Sequence, residues 1–543
     1  MTQSRRSFLA QAMAGAGAGL AAPSLTRAPA KSADWESLSR QFQMPDWFPD
    51  AKLGLWSHWG PQCVPEFGDW YGRLMYVQGH PAYEYHLKNY GHPSQSGFMD
   101  FIPRWKIDQW DPADLVQRYK AAGARYIVSM ANHHDNLDMF TSRHHPWNTA
   151  RLGPRRDIVG TWEREVRKAG LRFGVSNHGS HAWHWWQTAY GYDAEGPMKG
   201  VRYDAHRLHK ADGRGTWWQG LDPQSLYTGG SMVAPDGMDR IADMNSWHDN
   251  HDGQWLEMLP PGNGGFAKNW LARQKDLVER YRPDLVYFDN TGLPLEQYGL
   301  DAAAHIYDQS IRLHGSNQAV VTGKKLNAAQ RTAIVEDVER GFVSGIRAEP
   351  WQTCTCIGSW HYDRPLYDRH GYKSAEQVIQ RLFDVVSKNG NLLLSIPQRG
   401  NGSIDDQEIA ILDGMAHWMA INAEAIHGSR PWLRYGEGPT QTGEDMLNEG
   451  QAGTFTDLDV RFTTNATALY AGVMKRPVGS LAFTSLGLGA LQGGRVEKVE
   501  LLGHGDVAWQ QRDDALYVDF PPPKTDTLVP VLKLSGSAIL TAR

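Results

Sequence analysis

Cysteine is almost missing from this sequence: Cys63, Cys354 and Cys356 are the only three among 543 residues. An odd, low count excludes a disulfide framework. Cys354 and Cys356 have one residue between them and no second pair, so a closed structural zinc site is excluded as well. All three read as small buried hydrophobes. Long apolar runs are also lacking. The Ala/Gly-rich stretch Phe8–Ala22 is too short and too weakly apolar for a membrane span. Nor is there an excess of charge of one sign. Lys and Arg number 55 against 60 Asp and Glu, a net charge of −5 with no basic field to attract nucleic acid. With 41% hydrophobic and 21% charged residues, the chain is neither disordered nor collagen-like.

What is plentiful is tryptophan, with 22 residues beside 21 Tyr and 16 Phe. Tryptophan faces pack against the axial C–H groups of sugar rings, and equally against other core side chains. The length suits about three domains of roughly 150 residues, or one large barrel and a smaller module. Residues 1–30 read as an address. Arg5-Arg6 precede the Ala/Gly-rich run, and Ala28-Pro29-Ala30 offers a small-residue cleavage site. The pattern resembles a twin-arginine export signal and implies a periplasmic or secreted protein.

One unit recurs through the middle of the chain: a helix, a Gly or Pro break, a short apolar strand, then polar residues. The helix Pro112–Ala122 leads to the strand Ala124–Met130 and to Asn132-His133-His134-Asp135. The helix Ile158–Ala169 leads to Leu171–Val175 and to His178. The helix Trp270–Tyr281 leads to Asp284–Phe288 and to Asp289, and Ala375–Ser387 leads to Asn391–Ile396. Near the start, an apolar strand ends at His58. Such alternation predicts a parallel sheet, here a (β/α)8-like TIM barrel over residues 31–430 whose C-terminal strand ends form the active face. Residues 182–262 break the pattern and predict long loops over those strand ends. From 431 to 543, short strand-like runs at regular spacing predict an antiparallel β-sandwich, a structural cap or a ligand-binding module.

Three of the four repeated units end in His or Asp, in register, and the strand near the start ends in His58. Asp289 at a strand tip is a candidate nucleophile. His133 and His134 offer imidazole for a metal or for substrate hydroxyls. Adjacent residues on an extended segment face opposite ways, and the H-x-H spacing of many zinc barrels is missing. A glycosidase needs a second carboxylate across the scissile bond. Glu336, Glu339 and Glu349 are candidates, and spacing does not choose among them.

With these residues assembled, the chain resembles the α-L-fucosidases of glycoside hydrolase family 29 from about Trp47 to about Arg430. Lys52–Pro61 is similar to the family's A-K-F-G-x-F-x-H-W-G-P. Asp69-Trp70-Tyr71 with Met75-Tyr76, and Ala122–Tyr126 with His133-His134-Asp135, follow in order. Gly153–Asp157, Pro283–Asp289 and Val386–Leu394 complete the series. The resemblance implies a retaining exo-glycosidase acting on fucosylated glycans, with Asp289 as nucleophile and no metal or organic cofactor. Glu339, in Asp337–Gly341, falls where the family keeps its acid/base residue; Glu349 and Glu336 are reserves. His58, His133, His134, His178, Asp69, Trp70, Tyr287 and Trp351 are expected to bind the sugar. Asp69 replaces a family Glu, Tyr287 a Trp, and Ser176-Asn177-His178 stands where a Tyr is expected. These departures leave room for a related sugar such as α-L-galactose. A metal-dependent barrel hydrolase and a non-catalytic glycan-binding protein are the readings from other classes.

Overall fold

The repeated helix–turn–strand unit builds a single parallel sheet. The computed structural model describes residues 32–254, 257–451, 453–492, 494–522, 528–537 and 539–540; the leader expected over residues 1–30 lies outside them. Eight strands run in the chain order β1 Leu53–Ser57, β2 Tyr126–Asn132, β3 Arg172–Asn177, β4 Leu285–Thr291, β5 Val320–Lys324, β6 Val335–Glu336, β7 Trp351–Cys356 and β8 Gly390–Ser395. Their order in the sheet is β6-β5-β4-β3-β2-β1-β8-β7, and every pairing is parallel. One bridge between Asp337 and Gln352 closes the seam, where the N–H groups of Val338 and Arg340 donate to the carbonyls of Gln352 and Cys354 at 2.8 Å each. The fold is therefore the expected (β/α)8-like TIM barrel.

Strand parity divides the side chains between two cores, because successive residues point to opposite faces. Trp56, Tyr126, Val128, Leu285, Tyr287, Val320, Val335, Cys354 and Leu393 fill the barrel interior. Leu55, Ile127, Phe173, Val286, Phe288, Val321, Leu392 and Leu394 face outward, into the larger core shared with the helices. The interior is tight: a Cβ on Gly54 would lie 2.2 Å from the Tyr126 ring. The covering helices start where an N-cap side chain satisfies the first free N–H groups. Asp111 caps Pro112–Ala121, Asp157 caps Ile158–Lys168, and Ser374 caps Ala375–Ser387. The helix before β4 begins earlier than its apolar periodicity indicates and spans Gly264–Tyr281. Residues 182–262 are not plain loop. Their described residues form short helical turns and a longer helix, Ile241–His251.

After the barrel come β9 Arg430–Glu437, β10 Val460–Thr464, β11 Leu469–Val473, β12 Ser480–Phe483, β13 Arg495–Leu501, β14 Gly505–Asp506, β15 Trp509–Gln511, β16 Leu516–Asp519 and β17 Val531–Ser537. They form a six-stranded sheet, β14-β13-β17-β11-β10-β9, and a three-stranded sheet, β12-β16-β15, both antiparallel. Phe462, Leu469, Phe483, Leu516 and Val518 pack between them. The other face of the larger sheet joins the barrel's outer core through Tyr470, Met474 and Val531. From Ala33 onward the chain is one compact unit. Among the described residues no helix is long and apolar enough to cross a membrane.

Candidate active site

The inward parity of each strand continues past its last packed residue and points into the barrel mouth. On β1 it runs Gly54, Trp56, His58; on β3 Gly174, Ser176, His178; on β4 Leu285, Tyr287, Asp289. On β5 it runs Val320, Thr322, Lys324, and beyond β6 Val335, Asp337, Glu339. His58, His178, Asp289, Lys324 and Glu339 all line one cavity of about 410 Å³, within the usual range for small-ligand sites. His133 and His134 line it together. They can do so because β2 has ended at Asn132, which frees both rings from strand alternation. Asp69 and Trp70 form one wall, with Trp70 held at φ 58° and its ring edge-on to His134. Asp69 Oδ1 pairs with His361 Nδ1 at 2.8 Å.

At the centre, Lys324 Nζ donates to Asp289 Oδ1 and to Glu339 Oε2. Two oxygens sharing one donor lie within two hydrogen-bond lengths of each other, roughly 5–6 Å. Asp289 Oδ2 also faces His178 Nδ1 at 3.2 Å and His134 Nε2 at 3.5 Å. Burial alone would push the Asp289 carboxyl up. The Lys324 ammonium first, then His178 and His134, reverse this and hold it well below the usual carboxylate range. Burial disfavours the charged form of Lys324, yet Asp289 and Glu339 raise it well above the ordinary lysine value. Burial, with mutual repulsion, drives His58 and His133 well below the usual imidazole range; burial does the same to His134 against the pull of Asp289. The centre thus sets an Asp289 carboxylate held as the anion and a Lys324 ammonium among His58, His133 and His134, whose rings are held neutral.

The outer ring nitrogens are anchored. Gln62 Nε2 donates to His133 Nδ1 at 2.9 Å, His134 Nδ1 donates to the His178 carbonyl at 3.0 Å, and His58 Nδ1 lies 3.3 Å from Ser395 Oγ. The Nε2 atoms of His58 and His133 face the cavity beside His134, whose own Nε2 faces Asp289 Oδ2 at 3.5 Å. Two sets, His58/His133/His178 and His134/His178/Asp289, each bring three metal-capable atoms within 4.8 Å of one another. Beneath lies an interior polar layer. Asp337 accepts from Gln352 Nε2 at 2.8 Å and Cys354 Sγ at 3.0 Å, and burial pushes its carboxyl up to about 7.

One expected sugar ligand is elsewhere. Trp351 is the first residue of β7, so it lies at the end of the strand opposite the mouth, buried, with Nε1 donating to the Lys388 carbonyl at 2.9 Å. Trp360 lines the cavity instead, 4.8 Å from the His58 ring. Of the three candidate glutamates only Glu339 reaches the cavity. Glu336 is held by Arg331 at 2.9 Å and Arg347 at 2.5 Å, and Glu349 lines a separate crevice with them. The sequence reading missed Lys324, His181 and Glu257. Glu257 is a second glutamate on the wall, and its carboxylate is occupied by Asn290 Nδ2, the Thr291 N–H and His181 Nε2 at 2.5, 2.8 and 3.2 Å.

Residues 20–424 match the family model described as alpha-L-fucosidase. The chain is 25% identical to the tissue alpha-L-fucosidase of Homo sapiens over 505 residues, covering 90% of this chain and 88% of that protein. It is 24% identical to the Rattus norvegicus tissue enzyme over 407 residues, covering 74% and 73%. The Thermotoga maritima alpha-fucosidase in complex with a mechanism-based inhibitor superposes with a TM-score of 0.67 at 24% identity, covering 92% of this chain and 99% of that one. Isoenzyme 1 from Paenibacillus thiaminolyticus gives 0.60 at 19% identity, covering 93% and 99%. The solved structures agree with the barrel and its appended sheets, and the family model spans the segments that carry every strand end of the mouth: this chain belongs to the α-L-fucosidase family of glycoside hydrolases.

Proposed function

We propose that this chain is an exported, retaining exo-α-L-fucosidase working by double displacement. The observation that carries the reading is the convergence of Asp289 and Glu339 on one ammonium inside a histidine-lined cavity. That closeness suits the ~5–5.5 Å carboxyl separation of retaining enzymes, not the ~6.5–9.5 Å that an inverting enzyme needs for its water. Asp289, held as an anion, attacks the anomeric carbon. As the C1–O bond breaks, Glu339 gives its proton to the departing oxygen, leaving a glycosyl ester on Asp289. Glu339 then takes a proton from water, the hydroxide oxygen bonds to C1, and the ester bond breaks to restore the Asp289 carboxylate. Glu339 must carry a proton in the first step, whereas here its Oε2 accepts from the Lys324 ammonium. Substrate therefore has to part the Lys324–Glu339 pair and leave Lys324 on Asp289. His58, His133 and His134 hydrogen-bond the sugar hydroxyls as neutral rings. Glu257 is a poor proton donor by comparison, since its oxygens already accept from Asn290 and Thr291. The paired arginines near the N-terminus support export of the folded protein.

The test is turnover of an aryl α-L-fucoside, with the first-formed anomer of the free sugar followed by NMR. Retention is expected, and Asp289→Asn is expected to lose at least about 10²–10³-fold in rate. An inverted product would sink the double displacement; near-normal activity in the variant would remove Asp289 from its role.

A further inference from the structure

We infer that the C-terminal sheets supply part of the active site, through a leucine that contacts the leaving group. The connection between β9 and β10 crosses to the barrel mouth and lies against the segment that carries Glu339. The Leu447 N–H donates to the carbonyl of Glu339 itself at 2.9 Å, and the Glu449 N–H to that of Arg340 at 2.9 Å. The Phe342 N–H donates to the Asp445 carbonyl at 3.2 Å. Gly341 makes the approach possible, since a Cβ there would lie 2.1 Å from the Asp445 carbonyl oxygen. The connection is anchored on both sides of its tip. The Glu449 carboxylate accepts from Thr355 Oγ1 at 2.8 Å and pairs with Lys373 at 3.3 Å, while Met446 packs onto Val338, Val343, Trp351 and Val385.

Between these anchors Leu447 lies on the cavity wall with 64% of its surface exposed and φ at 58°. A large aliphatic residue in the left-handed region, unburied and backed by a fixed backbone, has no packing reason to be there. Its position gives it one. On the proposed function, on which this inference rests, Glu339 protonates the leaving oxygen, so the leaving group departs past the backbone that Leu447 is bonded to. Leu447 is then an exposed apolar surface beside its path. The ligand chemistry is a leaving group with an apolar face, either the C–H face of a pyranose or an aromatic ring.

The experiment compares α-L-fucosyl fluoride, whose leaving group is too small to reach Leu447, with 4-nitrophenyl α-L-fucoside. Leu447→Ser is expected to lower kcat/KM on the aryl substrate about tenfold, the scale of one lost apolar contact, and to leave the fluoride unchanged. Leu447→Met should restore the aryl rate. Equal losses on both substrates would make Leu447 a purely structural residue, and no loss on either would remove it from the site. Both results overturn the inference alone. Failure of the unaltered protein to cleave the fluoride would overturn the proposed function and this inference with it.

Discussion

Lys324 decides the charge state of the centre. A carboxylate as buried as Asp289 is costly to ionise, and the sum of burial, Lys324, His178 and His134 still comes out in favour of the anion. Replacing Lys324 with Met keeps the bulk and removes the largest favourable contribution. Burial then dominates, and the Asp289 carboxyl moves upward. On the proposed mechanism Asp289 is the nucleophile and must be ionised, so it sets the acid limb of the pH profile of kcat/KM in the free enzyme. That limb is expected to shift to higher pH in Lys324→Met, with kcat/KM at neutral pH down by about 10². Lys324→Arg, which keeps the charge, should leave the limb near its original position. A lowered rate with an unmoved limb in Lys324→Met would mean that the lysine only orients the site.

The strand is the element that makes the site, and its parity was open to reading. The alternation that buries Leu285 and Tyr287 also aims Asp289 inward, and the same count places His58 and His178. Lys324 was equally accessible: the helix Gln297–His314, the Gly315 stop and the strand Val320–Lys324 repeat the grammar of the other units. Its polar end is Lys, where three of the other units end in His or Asp. Glu339 was harder to place. β6 is only two residues long, so no run of alternating residues shows that Val335, Asp337 and Glu339 share a face. Trp351 misled because a motif fixes a position along the chain but not which end of a strand it occupies. The short helices within 182–262 were hidden by their Trp and His content, which follows burial around the mouth more than helical periodicity. The neighbouring strands β1, β2 and β3 deliver His58, His133 and His178 side by side, and imidazoles are good ligands for Zn²⁺. Added Zn²⁺ is therefore expected to inhibit competitively against an aryl fucoside and to be reversed by EDTA, while EDTA alone leaves the rate unchanged, since on the proposed mechanism two carboxylates carry the chemistry. Loss of activity with EDTA, restored by Zn²⁺, would instead support a metal-dependent hydrolase.

The barrel and the C-terminal sheets are joined by charge as well as by apolar contact. Asp384, on the barrel helix Ala375–Ser387, accepts from Arg461 Nε of β10 at 2.7 Å and from Lys388 Nζ at 3.0 Å, with all three side chains at most 2% exposed. Burial would push the Asp384 carboxyl up, and Lys388 and Arg461 hold it below its ordinary value. It contributes stability above the unfolded-state carboxylate range, and that contribution fades as pH falls through its own lowered pKa. An exposed pair such as Arg40–Glu36 is worth about 0–1 kcal/mol, so its loss should be invisible in unfolding. Breaking a buried group is different, because the partners stay behind as unpaired charges. Asp384→Asn is expected to cost about 3–5 kcal/mol and to lower the thermal midpoint, whereas Glu36→Gln leaves it in place. Adding Arg461→Met and Lys388→Met to the Asp384→Asn chain removes the stranded charges and should recover most of the loss, since a well-packed apolar set of similar volume is often as stable as the ionic one. If the triple variant is no more stable than Asp384→Asn, the ionic geometry itself holds the sheets to the barrel. The β9–β10 connection would then lose its footing beside Glu339, and the triple variant would shed activity on the aryl fucoside ahead of its thermal midpoint.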